Sequence, residues 1–217
     1  MPLWWLTFVP IWLVCANLQC WGKNHGKKPL GLVFKVIPTL LAAGLAFYAL
    51  LQNGESEYIR LMLIGLLLGA AADVLLNLVF VLGGVFFFAG HVFYILAFTR
   101  IQAPNQTGLI LFVCLGLVFE LSLIVNRKHL PKFPVNLGVG IYVLALAALA
   151  SLGIPPAFQS PSPAALTAAL GSGLFILSDL TLSRKFLGEV PVPYEVFSLC
   201  LYYAGQTLLG LSALLMI

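Results

Sequence analysis

The stretch Leu66–Val79, LLLGAAADVLLNLV, sets one ionisable carboxylate, Asp73, inside an apolar run long enough to form a helix. An ionised carboxylate at the centre of a membrane-spanning helix costs about 2.5 to 3.5 kcal/mol on insertion scales, so it needs a partner, a cavity or a proton. The rest of the chain says which solvent surrounds it. Of 217 residues, 61% are hydrophobic and 8% charged, too apolar for one water-soluble core to hide. Apolar windows of about 20 residues, the length that crosses about 30 Å of hydrocarbon, can be drawn near 3–21, 30–51, 58–79, 82–100, 108–125, 134–152, 163–183 and 194–216. The expected fold is an all-α membrane protein, a bundle of eight transmembrane helices forming one integral membrane domain over residues 1–217. Gly and Pro punctuate the joints (QNGESE, LGG, QAPNQTG, HLPKFP, GIPPAFQSPSP, GEVPVP), so the connections are short.

The net charge of +4 matters through its placement. Lys23, Lys27, Lys28, Arg127, Lys128, Lys132, Arg184 and Lys185 fall after helices one, five and seven, whereas Arg60 and Arg100 stand alone on the other side. The positive-inside rule then puts both termini outside or in a lumen. These short basic loops face anionic lipid; without interleaved aromatics they do not make a nucleic-acid surface. The first helix has no basic residue before it and KNHGKK after it, so it reads as an anchor and not a cleavable signal. Cys15, Cys20, Cys114 and Cys200 lie in apolar segments with no C-x-x-C pair and read as packing residues.

Asp73 and Asp179 are the only aspartates, half a chain apart, and each follows a Gly by eight residues, in GLLLGAAAD and GSGLFILSD. Four helices per half would run the two halves the same way through the membrane, a possible 4+4 parallel pseudo-repeat of residues 1–103 and 104–217. Both aspartates then lie near the cytoplasmic ends of their helices, Asp73 roughly 9 Å and Asp179 roughly 6 Å in. Lys35 and Glu120 fall at similar depth, so a polar cavity opening to the cytoplasmic side is the economical reading. Two sheltered carboxyls can hold unequal charge, one keeping its proton while the other ionises; each would otherwise be interhelical glue, bonded to hydroxyls or to Lys35.

The supporting residues follow from spacing. Asn77 stands one turn after Asp73, and Ser183 one turn after Asp179, where each can orient its carboxylate or merely end a helix. In FFFAGHVFYILAF, His91 and Tyr94 share a face and are expected to meet Asp73 across a very short turn. In CLYYAGQTLLG, Tyr202, Tyr203 and Gln206 offer the matching donors to Asp179. Lys35, in FKVIPTLL, either snorkels or meets a phosphate, beside a helix loosened by Pro38. Glu120 pairs with Lys35 or lies among headgroups. No H-x-x-x-H or E-x-x-H pair supplies metal ligands, and GSG at 171–173 is not a nucleophile elbow, so no metal and no cofactor is expected.

The ordered segments FKVIPTL, ADVLLNL, GGVFFFAGHVFYILAF, LFILSDLTLSRKF and LYYAGQTLLGLSA resemble the YhhN family of lysoplasmalogenase-like proteins, from helix two to the C-terminus. The resemblance implies an eight-helix enzyme that hydrolyses the vinyl ether bond of a lysoplasmalogen to a fatty aldehyde and glycerophosphoethanolamine or glycerophosphocholine. It also implies Asp73 and Asp179 as the acidic pair, with His91, Tyr94, Tyr202, Tyr203 and Gln206 around them and Lys35 nearby. Ala72 departs from the Gly that members often carry before the first Asp. Such chemistry needs an acid that keeps its proton, then an anion and a base; the deeper Asp73 is expected as the acid, and Asp179, near Arg184 and Lys185, as the ionised partner. The expected partners are a lysophospholipid with a vinyl ether chain, the bilayer of a bacterial inner membrane or endoplasmic reticulum, and further copies of the chain if it forms a homo-oligomer. Two other classes also place paired acids in a membrane: a proton-coupled transporter or lipid-binding carrier, and an intramembrane aspartyl protease, for which no convincing G-x-G-D motif is present.

Overall fold

The computed structural model describes residues 7–130, 132–133, 135–183 and 190–216, the side chain of Ser183 excepted. Arg184 and Lys185, and the Ser183 hydroxyl, therefore lie outside the described residues. The described chain is helical, with no strand: α1 (Phe8–Asn24), α2 (Lys28–Gln52), α3 (Glu57–Leu78), α4 (Phe80–Phe98), α5 (Gln106–Val125), a 3-10 turn at Arg127–His129, α6 (Val135–Gly153), the short α7 (Pro156–Gln159), α8 (Pro163–Ser183) and α9 (Val192–Leu214). Seven helical stretches are long and apolar enough to cross a bilayer: α2, α3, α4, α5, α6 with α7, α8 and α9. The protein is thus a multi-pass integral membrane protein. The 17 described residues of α1 span about 26 Å at 1.5 Å per residue, and α1 packs against α2 and α9.

Local chemistry sets the boundaries. Ser56 caps α3 by accepting from the Ile59 amide, and Asn105 caps α5 by accepting from the Gly108 amide at 2.8 Å. Gly26, with φ of 72°, turns the chain between α1 and α2 in a conformation that a side chain would disfavour. The basic cluster does not lie wholly in a loop: α1 continues through Asn24, and Lys23 on its last turn pairs with Glu195 of α9 at 3.1 Å. The LGG sequence is not the α3–α4 joint. That joint is the single extended residue Val79 (φ −140°, ψ 95°), and Gly83 sits in the first turn of α4, where a Cβ would stand 2.3 Å from the Leu76 nitrogen.

Small residues bring the helices together, as they must where lipid offers no hydrophobic drive for association. Ala42, Ala46 and Ala49 form the buried face of α2, and Gly210 of α9 lies so close that a Cβ there would be 2.3 Å from the Ala42 carbonyl oxygen. Two crossings are built alike. A Cβ at Gly65 or Gly90 would stand 3.1 Å from the other's carbonyl oxygen where α3 meets α4; the same holds for Gly171 and Gly205 where α8 meets α9. Helix α9 packs on α1, α2, α3 and α8, whereas α5 leans on α6 and leaves Leu109, Leu117, Leu121 and Ile124 exposed to lipid. Trp12 donates to Thr207 at 3.2 Å, and Tyr58 and Ser212 share a hydrogen bond of 2.6 Å, so α9 is tied to α1 and α3 by polar contacts as well.

Gly210→Ala is expected to destabilise the protein by about 1 to 3 kcal/mol through overpacking. Gly173→Ala, with nothing within 4 Å of the added carbon, is expected to leave stability unchanged or slightly raise it. Unfolding in mixed micelles compares the two; equal losses would show that the α2–α9 approach is not what constrains position 210.

Candidate active site

Asp73 is fully buried on α3, at a point where α2 and α9 converge. Helix α2 presents Lys35 and Thr39 one turn apart, and α9 presents Tyr202 and Gln206 with the same spacing. Lys35 Nζ lies 3.2 Å from Asp73 Oδ1. The Thr39 and Tyr202 hydroxyls each donate to Oδ2 at 2.9 Å. Gln206 Nε2 donates to the Tyr202 oxygen at 3.1 Å, and the Tyr94 hydroxyl donates to Gln206 Oε1 at 2.7 Å. Tyr94, Gln206 and Tyr202 thus form a chain of donors that all point toward one carboxylate. Gly69, one turn before Asp73, makes room for it: a Cβ there would stand 3.1 Å from Gln206 Nε2. A cation and two hydroxyls aimed at one carboxyl match the needs of an anion.

Asp179, on α8, is partly buried. Its Oδ2 accepts a hydrogen bond of 2.5 Å from the Tyr142 hydroxyl of α6, and among the described residues no cation pairs with it. Among the described residues, the two carboxylates share no hydrogen-bonding partner. Between their groups lies a layer of rings. Phe175 packs edge-on to Tyr202 with centroids 5.4 Å apart and to His91 at 4.8 Å, and His91 packs edge-on to Tyr142 at 5.2 Å. Helix directions put both acids toward the membrane face that carries Lys27, Lys28, Arg127 and Lys128.

Several residues stand where spacing alone did not place them. His91 and Tyr94 do not bond to the Asp73 carboxylate: the His91 Nδ1–H donates to the Phe87 carbonyl at 2.7 Å, and Tyr94 reaches Asp73 only through Gln206 and Tyr202. Tyr202 and Gln206 serve Asp73 and not Asp179, because α9 packs on α2 and α3 as well as on α8. Tyr203, next along the helix, points elsewhere; its hydroxyl is buried without a hydrogen-bond partner among the described residues. Asn77 donates to the Asp73 backbone carbonyl at 2.9 Å, and not to the carboxylate. Lys35 pairs with Asp73, whereas Glu120 lies between α5 and α6 on a cleft of about 430 Å³ that Arg127 and Asn136 also line. Spacing also missed two groups. Thr39 was readable as the residue one turn after Lys35; Tyr142, the one hydroxyl-bearing ring of α6, gave no signal beyond that. Among the described residues, no three His, Cys, Asp or Glu side chains gather as a metal site would require.

Fold and site together define a helical membrane protein with two sheltered carboxylates in unlike surroundings. The YhhN family model matches residues 30–213, and the chain belongs to the YhhN family. It is similar to human lysoplasmalogenase TMEM86A, 29% identical over an alignment of 219 residues, with 92% of this chain and 84% of that protein covered. It is also similar to human lysoplasmalogenase TMEM86B, 31% identical over 214 residues, covering 97% and 86%. The bovine lysoplasmalogenase TMEM86A is 30% identical over 212 residues, covering 92% and 84%. No solved structure matches the chain.

Lys35→Met is expected to cost about 3 to 5 kcal/mol, because it leaves a buried carboxylate without its cation. Adding Asp73→Asn to that variant is expected to recover most of the loss. Thermal unfolding of the single and double variants checks the pair, and simple additivity would show that the two groups are not coupled.

Proposed function

We propose that this protein is a lysoplasmalogenase, hydrolysing the vinyl ether bond of a 1-alkenyl-lysophospholipid to a fatty aldehyde and a glycerophosphoethanolamine or glycerophosphocholine. The observation that carries the reading is the difference between the two acids. Among the described residues, Asp73 has Lys35 and two hydroxyl donors, whereas Asp179 has one neutral phenol. Similarity to relatives named lysoplasmalogenase supplies the reaction class; the unlike acids supply what that reaction needs.

The proposed roles are the reverse of those that the depth of Asp73 and the nearness of Asp179 to Arg184 and Lys185 favoured. Asp179 is the general acid and passes its proton to the vinyl ether carbon remote from oxygen. The alkene π electrons form the new C–H bond, and the adjacent carbon and the ether oxygen share the positive charge of an oxocarbenium ion. Asp73, held ionised by Lys35, stabilises that cation. Water adds to the charged carbon and gives its proton to the Asp179 carboxylate, which restores the acid. The hemiacetal then breaks its bond to the glyceryl oxygen; that oxygen takes up a proton as the hemiacetal hydroxyl loses one, and aldehyde leaves. The alkyl chain lies between helices, and the headgroup reaches the basic face.

The same reading completes the architecture. Helix α1 is the first of eight spans, with both termini outside or lumenal and the acids in the cytoplasmic half. The matched glycine crossings, Gly65 with Gly90 and Gly171 with Gly205, support a parallel repeat of two four-helix halves. Asp73 and Asp179 are then equivalent positions that have acquired different partners.

Purified protein is expected to release aldehyde from 1-alkenyl-lysophosphoethanolamine, and Asp73→Asn and Asp179→Asn each to lower kcat by about 10²- to 10⁴-fold. Because the acid must carry its proton, kcat/KM should fall on the alkaline side. Aldehyde release that both variants retain in full would reject the carboxylate mechanism; no release by the wild type would leave a carrier or transporter as the better reading.

A further inference from the structure

His91 is fully buried on α4, beside Tyr142 of the Asp179 group and Phe175, which in turn packs on Tyr202 of the Asp73 group. Its Nδ1 sits 2.7 Å from the Phe87 carbonyl oxygen, so Nδ1 carries the hydrogen. In the neutral ring this leaves Nε2 as a pure acceptor. Nε2 is buried and, among the described residues, has no hydrogen-bond partner. Two of the ring's neighbours are aromatic: Phe175 and Tyr142 stand nearly perpendicular to it at 88° and 78°. A buried acceptor without a donor destabilises a fold, and a side chain of similar size with no ring nitrogen would avoid that cost. The orphan is therefore explained if its donor arrives with the ligand.

A lysoplasmalogen has one neutral hydroxyl donor close to the reacting bond, the free sn-2 hydroxyl of its glycerol. We infer that His91 Nε2 accepts the hydrogen bond of the substrate's sn-2 hydroxyl and so selects the lyso form of the lipid. This rests on the lysoplasmalogenase reading, which it deepens. The Nδ1–H bond to Phe87 holds the ring in the required tautomer. Phe175 and Tyr142, which pack edge-on to the imidazole, must turn aside as the glycerol enters. A lipid acylated at sn-2 brings no donor and adds bulk at the same place, so it leaves Nε2 unpaired and meets the aromatic layer. His91 is thus a specificity residue, and the acid and the anion remain Asp179 and Asp73.

A saturated 1-alkyl-lysophospholipid keeps the sn-2 hydroxyl and has no vinyl ether to hydrolyse, so binding can be read without turnover. The full-length protein, ¹⁵N-labelled at histidine, is titrated with this lipid and with its sn-2-deoxy analogue. The expected result is an upfield shift of the His91 Nε2 resonance with the hydroxyl lipid and none with the deoxy lipid. Equal shifts with both, or no shift when both bind, would overturn the inference. Turnover supplies the second arm. The wild type should prefer 1-alkenyl-lysolipid over its deoxy analogue by at least about tenfold in kcat/KM, and His91→Phe should bring that ratio near unity, with partial recovery in His91→Gln, which offers an amide oxygen. An unchanged ratio in a folded His91→Phe protein would also overturn it. Failure of the wild type to release aldehyde from either lipid would remove the enzymatic reading, while the resonance titration would still report whether Nε2 meets the hydroxyl.

Discussion

A carboxylate taken out of water has to be surrounded by donors, and around Asp73 that demand organises three helices at once. Lys35 and Thr39 reach it from α2, and Tyr202 from α9. None of them can arrive unless the backbones approach closely. The alanine face of α2 and the bare Cα of Gly210 permit that approach, and Gly69 leaves the space into which the Gln206 amide fits. Packing and electrostatics are therefore one constraint here. The small residues have little energetic value of their own in a solvent as apolar as they are, and what they secure is the distance over which a buried charge is satisfied.

The second acid shows what happens when the same position in a helix receives a different neighbourhood. Among the described residues, Asp179 meets a single phenol from α6 in place of a lysine and two hydroxyls. Paired groups with unlike surroundings are the usual way in which one site holds an acid and an anion together at one pH. The ring layer of Phe175, His91 and Tyr142 keeps the two hydrogen-bonded groups apart, which preserves that difference.

Much of the helical order was legible in the chain itself. The apolar windows marked the spans because a backbone in lipid must satisfy its own hydrogen bonds. The spacing of Lys35 and Thr39 on α2, and of Tyr202 and Gln206 on α9, already put each pair on one face. What spacing could not say was which neighbouring helix each face meets. His91 and Tyr94 follow Asp73 across the Val79 joint and look adjacent to it; yet the line of approach to the carboxylate is occupied by α2 and α9, and the two side chains turn toward Phe87 and Gln206. Tyr142 carried no visible sign because a tyrosine in an apolar helix serves packing equally well until its hydroxyl is seen beside an acid.

The amino-acid sequence by itself determined that this is a helical membrane protein, that its two aspartates lie toward the same end of their helices, and that each would need compensation there. These follow from hydropathy, length and helical rise, which are properties of one segment at a time. Only the tertiary structure decided which partners provide the compensation: among the described residues, Lys35, Thr39 and Tyr202 for Asp73, Tyr142 for Asp179, and no donor for His91 Nε2. The reason is that helix pairing is set by close contacts summed over whole interfaces, Gly65 on Gly90, Gly171 on Gly205 and Gly210 on Ala42, and no single segment contains that information.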